Sequence, residues 1–469
     1  MKSITALALA GLLSATQAAA EPLSPDLAAF RDTYKELVET NTELSVGSCT
    51  EAAEKMAARL KAAGYPDSDV HVFTGPGHPK DGGVVAVLHG SDPGAKAILL
   101  LAHIDVVEAK REDWTRDPFK LVEENGYFYG RGASDDKAMA SVWVDTLIRY
   151  RKEGFHPRRD VKMALTCGEE TAGAFNGADW LVRNQRPWVD AAFALNEGAG
   201  GRLDEKGNRV SLGVQAGEKV YQDFQLETTN PGGHSSRPVR DNAIYRLADG
   251  LARLRDYDFP VQLNDATRLY WQRMSKVIGG ETGEAMQAIA KDPTDAKADA
   301  VLSKDPSWHS MLRTTCVATR LSGGHANNAL PQRADANVNC RIFPGVPIDE
   351  VREALVKVVN DPAISITVVE PKSPAPPAPP LTPAMLSPIE KVSAQLWPGV
   401  PVVPTMSTGA TDGVYTNAGG IPTYGLSGMF GDPDGDGVHG LNERIRVRSL
   451  YEGRDFLYRV VKLYADQAG

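Results

Sequence analysis

Four short runs, VVAVLHG (84–90), AILLLAHID (97–105), VKMALTCGEE (161–170) and AAFALNEG (191–198), alternate with amphipathic helical patterns at about 136–153 and 176–185. Runs that are apolar at successive positions, not at every second one, belong to strands covered on both faces. Such strands alternating with helices predict an α/β layer around a largely parallel sheet. Ligands of these sheets gather at the carboxyl ends of the strands. With 469 residues the chain exceeds one core, at roughly 100–200 residues per domain.

Before the first run, Ser24-Pro25-Asp26 has the form of an N-cap with proline in the first turn. Leu27, Phe30, Tyr34, Leu37 and Val38 then keep helical spacing, and a second helix is expected from about 50 to 63. The pattern changes near Ala216. Strand (218–229), helix (241–256), strand (312–321), strand (333–342), helix (347–359) and strand (364–371) give the β-α-β-β-α-β order of a ferredoxin-like unit. A charged helical stretch at 263–305 is set aside as an insertion in it. SPAPPAPPLTP (373–383) is a stiff connector, followed by further helix and strand signals and a final helix near 448–466. The expected architecture is a catalytic α/β domain in two parts, 21–215 and 373–469, interrupted by a smaller α+β domain at 216–372.

Met1 to Ala20 carries one cation, Lys2, an apolar run from Ile4 to Leu13, and Ala18-Ala19-Ala20 before Glu21-Pro22. This is the pattern of a cleaved secretory signal, and it predicts a secreted or periplasmic protein with no membrane association after cleavage. Fifty-one Lys and Arg stand against 60 Asp and Glu, a net −9, with no dense basic run, so nucleic acid is a poor partner. Of the four cysteines, Cys316 and Cys340 lie in strand-like runs and could pair in an oxidising compartment. Cys167, inside an apolar run, is expected as a buried thiol, and Cys49 is left unassigned. No Cys-x-x-Cys exists, so any metal is held by His and carboxylates.

Five places set acids or imidazoles just past an apolar strand or in a glycine-flanked turn. They are His103-Ile104-Asp105, Gly130-Arg131-Gly132-Ala133-Ser134-Asp135-Asp136-Lys137, Gly168-Glu169-Glu170, Asn196-Glu197-Gly198 and His439-Gly440-Leu441-Asn442-Glu443. Singly, each reads as strand-end polarity, a solvated turn or a helix cap. Together they crowd carboxylates at one sheet edge, which is tolerable when cations sit among them. Four carboxylates and two imidazoles suit two divalent ions. With one carboxylate bridging, each ion has three protein ligands and an open position for water.

The succession HIDVV, GRGASDDK, TCGEET, LNEG, PGGHSS and HGLNE resembles the M20 family of metallopeptidases and aminoacylases, in the family's order and over nearly the whole chain after the signal. The resemblance implies a zinc-exopeptidase-like catalytic domain interrupted by a lid and dimerisation domain, and two zinc ions, with cobalt or manganese as substitutes. His103, Asp135 and Glu197 would hold one ion and Asp135, Glu170 and His439 the other. Asp105 would fix the tautomer of His103, and Glu169 would be the general base. His234 of Gly232-Gly233-His234-Ser235-Ser236 would stabilise the oxyanion in the partner subunit of a homodimer. Asn328 and Arg341 would bind substrate, the arginine as a fork for a free carboxylate.

One motif competes. Asp432-Pro433-Asp434-Gly435-Asp436-Gly437 with Glu443 satisfies the EF-hand loop formula, but the entering helix is missing and His439 stands where an apolar residue is wanted. Two departures from the family bear on specificity: Asn196 stands where many relatives have Asp, and the 263–305 segment is additional. The expected activity is that of an exported di-zinc carboxypeptidase or N-acyl amino acid amidohydrolase. A dipeptidase or aminopeptidase is the alternative, which a pocket acid beyond the metal ligands would favour. A non-catalytic peptide-binding protein is disfavoured because every ligand and Glu169 are present.

Overall fold

The computed structural model describes residues 23–467 except residue 172; the signal at 1–20 lies outside the described residues. Ile98–His103 is buried along its whole length, and it pairs in parallel with Val161–Thr166 on one side and Phe193–Asn196 on the other. Thr423–Gly425 extends this parallel centre. Antiparallel strands flank it: His78–Leu88 and Val70–Gly75 at one side, Arg209–Glu218 and Gly201–Leu203 at the other. Val402–Ser407 adds in parallel to Arg209–Glu218, and Phe430–Gly431 to Gly201–Leu203. The register sets His103 opposite Thr166, so the two runs end side by side and release their polar tails together.

Helices Pro25–Glu39, Cys49–Ala62, Lys137–Glu153 and Val447–Asp466 cover one face through Phe30, Tyr34, Met56, Trp143, Tyr150, Phe456 and Tyr464, all buried. Ser24 caps the first helix by accepting from the amide of Leu27, as its sequence predicts. The third helix stops at Gly154, whose left-handed backbone (φ 65) is the usual glycine C-terminus.

A second sheet has the order Thr315–Gly323, Arg333–Ile342, Val220–Thr229, Ile364–Val368, antiparallel throughout. Alternation in Val220–Thr229 puts Val220, Phe224 and Leu226 on the face packed by helices Ala243–Arg255 and Ile348–Val359. The opposite face, with Tyr221 and Arg341, carries no helix of this unit. The chain passes between the two sheets through Lys219, whose buried Nζ donates to Ser310 Oγ (3.1 Å) and Thr315 Oγ1 (3.2 Å).

The 263–305 stretch, read as a charged helical addition to the lid, forms helices Asp265–Ile278, Gly280–Lys291 and Ala296–Leu302, followed by Pro306–Leu312. Their core of Trp271, Met274, Met286, Ile289 and Leu302 closes on Val403 and Met406 of the large sheet as well as on Phe343. Arg273 fixes the contact by donating to the carbonyl of Val402 (2.6 Å) and to Glu390 (2.8 Å). Charged residues on the outer faces of these helices hid an inner stripe that needs a partner.

Cys167, read as a buried thiol, is disulfide-bonded to Cys49, because the second helix starts against the end of Val161–Thr166 and brings the two Cα atoms to 6.0 Å. Cys316 and Cys340 lie directly opposite one another in their ladder and are also paired.

Candidate metal centre

Five side chains, one from the end of strand Ile98–His103 and four from loops, meet at the carboxyl end of the parallel strands. Asp135 lies between the two imidazoles: His103 Nε2 is 3.0 Å from its Oδ1, and His439 Nε2 is 3.3 Å from its Oδ2. Glu197 Oε2 is 3.8 Å from His103 Nε2, and Glu170 Oε2 is 2.8 Å from His439 Nε2. Each oxygen of Asp135 thus faces a different imidazole, and Asp135, His103 and Glu170 also have ligand atoms within 4.8 Å of one another. Glu169 falls on the His103 side, where its carboxylate, His103 and Glu197 have ligand atoms within 4.8 Å of one another. His439 adopts the left-handed region (φ 60), uncommon for a non-glycine residue and frequent at functional sites.

The surroundings hold these groups by hydrogen bonds that span hundreds of residues. Asp105 accepts the amide proton of Glu170 (3.0 Å), while its backbone carbonyl lies 3.1 Å from His103 Nδ1. The carboxylate expected to set the His103 tautomer is farther away, at 3.6 Å, so the nearer partner of this nitrogen is the main chain. The turn after Thr166 needs Gly168: its φ is +94, and a Cβ there would meet the carbonyl oxygen of Phe175 at 1.8 Å. Asp412 braces the same turn, accepting from Thr166 Oγ1 (2.9 Å) and Asn176 Nδ2 (2.6 Å).

Glu443 carries more than its place in HGLNE suggests. Buried, it accepts from Arg131 Nη1 (2.8 Å) and from the amides of Gly132 (3.0 Å), Ser134 (2.8 Å) and Asp135 (3.0 Å). It therefore shapes the loop that presents Asp135.

Burial among other acids dominates the electrostatics. It pushes Glu169 up to about 10, with Glu197, Asp412 and Glu170 adding to the effect. Glu170 is pushed to about 7, Asp412 to about 6 and Glu218, just beyond Glu197, to about 8, each chiefly by burial. Asp135 runs the other way: against its burial, the hydrogen bonds from His103 and His439 hold its carboxyl low. Burial lowers His103, but Glu197, Asp105 and Asp135 more than offset it and leave the imidazole raised. Asp105 Oδ1 and Asp136 Oδ2 are buried without a hydrogen-bond partner. This excess of buried negative charge and His/carboxylate donors fits divalent cations.

The EF-hand alternative does not survive, because its acids point to separate partners. Asp432 accepts from Tyr127 (2.7 Å) and Arg446 (2.6 Å), Asp434 from Arg444 (2.8 Å), Asp436 from Ser134 Oγ (2.9 Å), and Glu443 from the loop above. Strand Phe430–Gly431 stands where the entering helix would be.

The three residues from the second sheet stand apart. His234 and Asn328 are exposed on a small ribbon in which Gly233–His234 pairs with Ala329–Leu330, and His234 Nδ1 accepts the amide of Ser236 (3.1 Å). Arg341 lies over the ring of Tyr221 (4.8 Å) on the uncovered sheet face. Among the described residues, no hydrogen bond or ion pair joins these three to the cluster. Beside Asp135 and Glu197 opens a cavity of about 330 Å³, walled by Met139, Met429, Phe430, Arg202 and Asp436. In the sequence Asp436 stood out only as part of the EF-hand-like loop, and Arg202 not at all.

The family model described as Peptidase family M20/M25/M40 matches residues 99–463. An N-fatty-acyl-amino acid synthase/hydrolase, PM20D1 of Xenopus tropicalis, is 30% identical over 374 residues, covering 77% of this chain and 71% of its own. The fold is similar to that of an M20 family metallo-carboxypeptidase from Sulfolobus solfataricus, with TM-score 0.68, 20% identity and coverage of 94% of this chain and all of that one. It is also similar to that of a dinuclear metal-binding peptidase from Bacillus subtilis, with TM-score 0.60, 13% identity and coverage of 93% and 98%.

Proposed function

Because this chain belongs to peptidase family M20/M25/M40 and is therefore a hydrolase of amide bonds, we propose that it is an exported di-zinc enzyme cleaving the amide next to a free carboxylate, in peptides or N-acyl amino acids. The observation that carries this reading is the placement of the two Asp135 oxygens, one toward His103 and one toward His439. His103, Asp135 and Glu197 would hold one zinc, and Asp135, Glu170 and His439 the other. Bound there, the ions would supply Lewis acidity that polarises the scissile carbonyl and acidifies a water.

Glu169 then takes the proton of the attacking water and returns it to the leaving nitrogen, a proton shuttle of the general acid–base kind. Its place supports this, because its carboxylate lies with the ligand atoms of His103 and Glu197 within 4.8 Å of one another. Asp105 and Asp412 keep the turn bearing Glu169 and Glu170 in place. Arg341 on the lid face receives the substrate carboxylate with help from Asn328, and His234 stabilises the oxyanion from the lid of a partner subunit. A homodimer would form through the exposed edge strand Thr315–Gly323, beside the apolar groove of Ile244, Leu247, Leu251 and Leu321. Two disulfides suit an oxidising compartment and support export.

The dipeptidase reading gains from one observation: Asp436, an acid outside the metal-ligand set, lines the cavity beside Asp135. Metal analysis of the purified protein, with hydrolysis of a mixed panel of dipeptides and N-acyl amino acids before and after chelation, tests the whole. Bound zinc and chelator-sensitive release of a free amino acid are expected. No bound metal, or cleavage indifferent to chelation, would overturn the proposal.

A further inference from the structure

The turn that carries Glu169 and Glu170 begins at Cys167, and the disulfide from Cys49, 118 positions away, ties that point to the start of helix Cys49–Ala62. Both cysteines are buried, and a carboxylate oxygen of Asp105 lies within 4.8 Å of each sulfur. Asp105 is buried with them. Its Oδ2 accepts the amide of Glu170 (3.0 Å), while its Oδ1 has no hydrogen-bond partner. Cys49, Asp105, Cys167 and Gly168 also line a void of about 10 Å³, the space of one water. Two sulfurs, a carboxylate and room for one small guest are the parts of a metal site that no Cys-x-x-Cys spacing announces.

While the sulfurs are bonded to each other they offer no thiolate. Opening the bond changes this. A dithiol passes two electrons to the S–S bond and leaves as its own disulfide, and each sulfur takes up a proton. A zinc ion then displaces both protons to water and is held by two thiolates, ligands that favour it, with the carboxylate of Asp105 as the third. Two protons leave as one divalent cation enters, so the net charge of a region already crowded with acids is unchanged. At a zinc–sulfur length of about 2.3 Å, two tetrahedrally placed thiolates stand about 3.8 Å apart. Side chains whose Cα atoms are 6.0 Å apart can reach that separation.

We infer that Cys49, Cys167 and Asp105 form a redox-gated zinc site, closed to metal when the disulfide is formed and open to it when the bond is reduced. The site also governs the proposed hydrolysis, the one part of the inference that rests on that reading. Asp105 holds the amide of Glu170 and stands 3.6 Å from His103 Nδ1. An ion drawing on its carboxylate therefore loosens Glu170 and the turn that aims Glu169. The reduced, zinc-filled chain is the inactive form. Closing the bond passes two electrons to a disulfide oxidant, expels the ion and returns Asp105 to the turn. The lid pair Cys316–Cys340 is different, because among the described residues no acid or imidazole completes a metal site with it.

The full chain purified with a phosphine reductant, which opens disulfides without chelating zinc as a dithiol does, is compared with the oxidised chain. Both are equilibrated with zinc and freed of unbound ion, and a thiol count confirms the redox state of each. The reduced chain should hold one zinc more than the oxidised one. With cadmium in place of zinc, a thiolate-to-cadmium absorption band should appear in the reduced chain alone. The double variant Cys49→Ser, Cys167→Ser should lose both the extra ion and the band, whereas Cys316→Ser, Cys340→Ser should keep both. With an N-acyl amino acid as substrate, kcat of the reduced, zinc-filled chain should be about 10–100-fold lower, the usual cost of disturbing the outer partners of metal ligands, with KM little changed and recovery on reoxidation. Equal zinc counts in the two redox states, a cadmium band that survives in the Cys49/Cys167 double variant, or a reduced chain that unfolds instead of taking up the ion overturns the inference. An extra zinc that leaves kcat untouched overturns its control of hydrolysis. An extra zinc with no hydrolysis of any amide in either state would leave the site standing and overturn the parent function instead.

Discussion

The end of the parallel sheet and the open face of the lid both carry residues assigned to the reaction, yet they are built in opposite ways. At the sheet end, His103 and Asp105 are buried, Asp135 is gripped on both oxygens, and Glu443 joins four donors from one loop. On the lid, His234 and Asn328 are exposed and Arg341 leans on one tyrosine ring. Burying charge is costly unless it is paired or coordinates a cation, so a site that persists inside must be braced from all sides. Residues that act only when two faces meet can stay solvated and loosely held.

The sharpest way to break this contrast is at its centre. Asp135→Ala should lose metal at both positions and abolish hydrolysis; full metal content in that variant would show that the carboxylate does not bridge. Next comes Glu169→Gln, expected to keep metal and lower kcat by about 10²–10⁴. Metal analysis beside steady-state kinetics separates these two outcomes. Glu443→Ala leaves Arg131 buried without its acid and frees three amides, which should cost about 3–5 kcal/mol in denaturant unfolding.

Glu218 sharpens the comparison through pH. Its carboxyl lies at about 8 in the fold against 4.5 ordinarily, so between those values the folded chain holds a proton that the unfolded chain has released. Stability of the metal-free protein should therefore fall as pH rises from about 4.5 to 8, by at most about 1.4 kcal/mol per pH unit from this group. Glu218→Gln should flatten that part of the curve. On the lid, by contrast, Arg341→Met should leave unfolding within about 0.5 kcal/mol of wild type, as at an ordinary surface site, and raise KM about tenfold. A large loss of stability there would mean that the lid is braced like the centre.

Legibility in the sequence follows the same divide. HIDVV, CGEE and LNEG stood out because strands buried on both faces are apolar throughout and their polar ends show at once, and SDDK and HGLNE because they are acids and imidazoles in glycine-flanked turns. What could not be read depends on contacts far along the chain. Glu443 was visible only as a member of its motif, since its partners at 131–135 lie more than 300 positions away. Cys167 looked like one more apolar side chain in its run, and nothing local marks Cys49 as its partner. The 263–305 helices show polar outer faces in sequence, whereas the stripe that seats them on Val403 and Met406 is visible only in three dimensions.

The grip of Glu443 on the backbone that presents Asp135 also bears on when this protein can become active. A chain emerging from the ribosome has His103, Asp135, Glu169, Glu170 and Glu197 long before it has His439 or the acid that shapes the Asp135 loop. Competence thus waits for the segment that carries His439 and Glu443, and until it is made the earlier ligands have no finished centre to belong to.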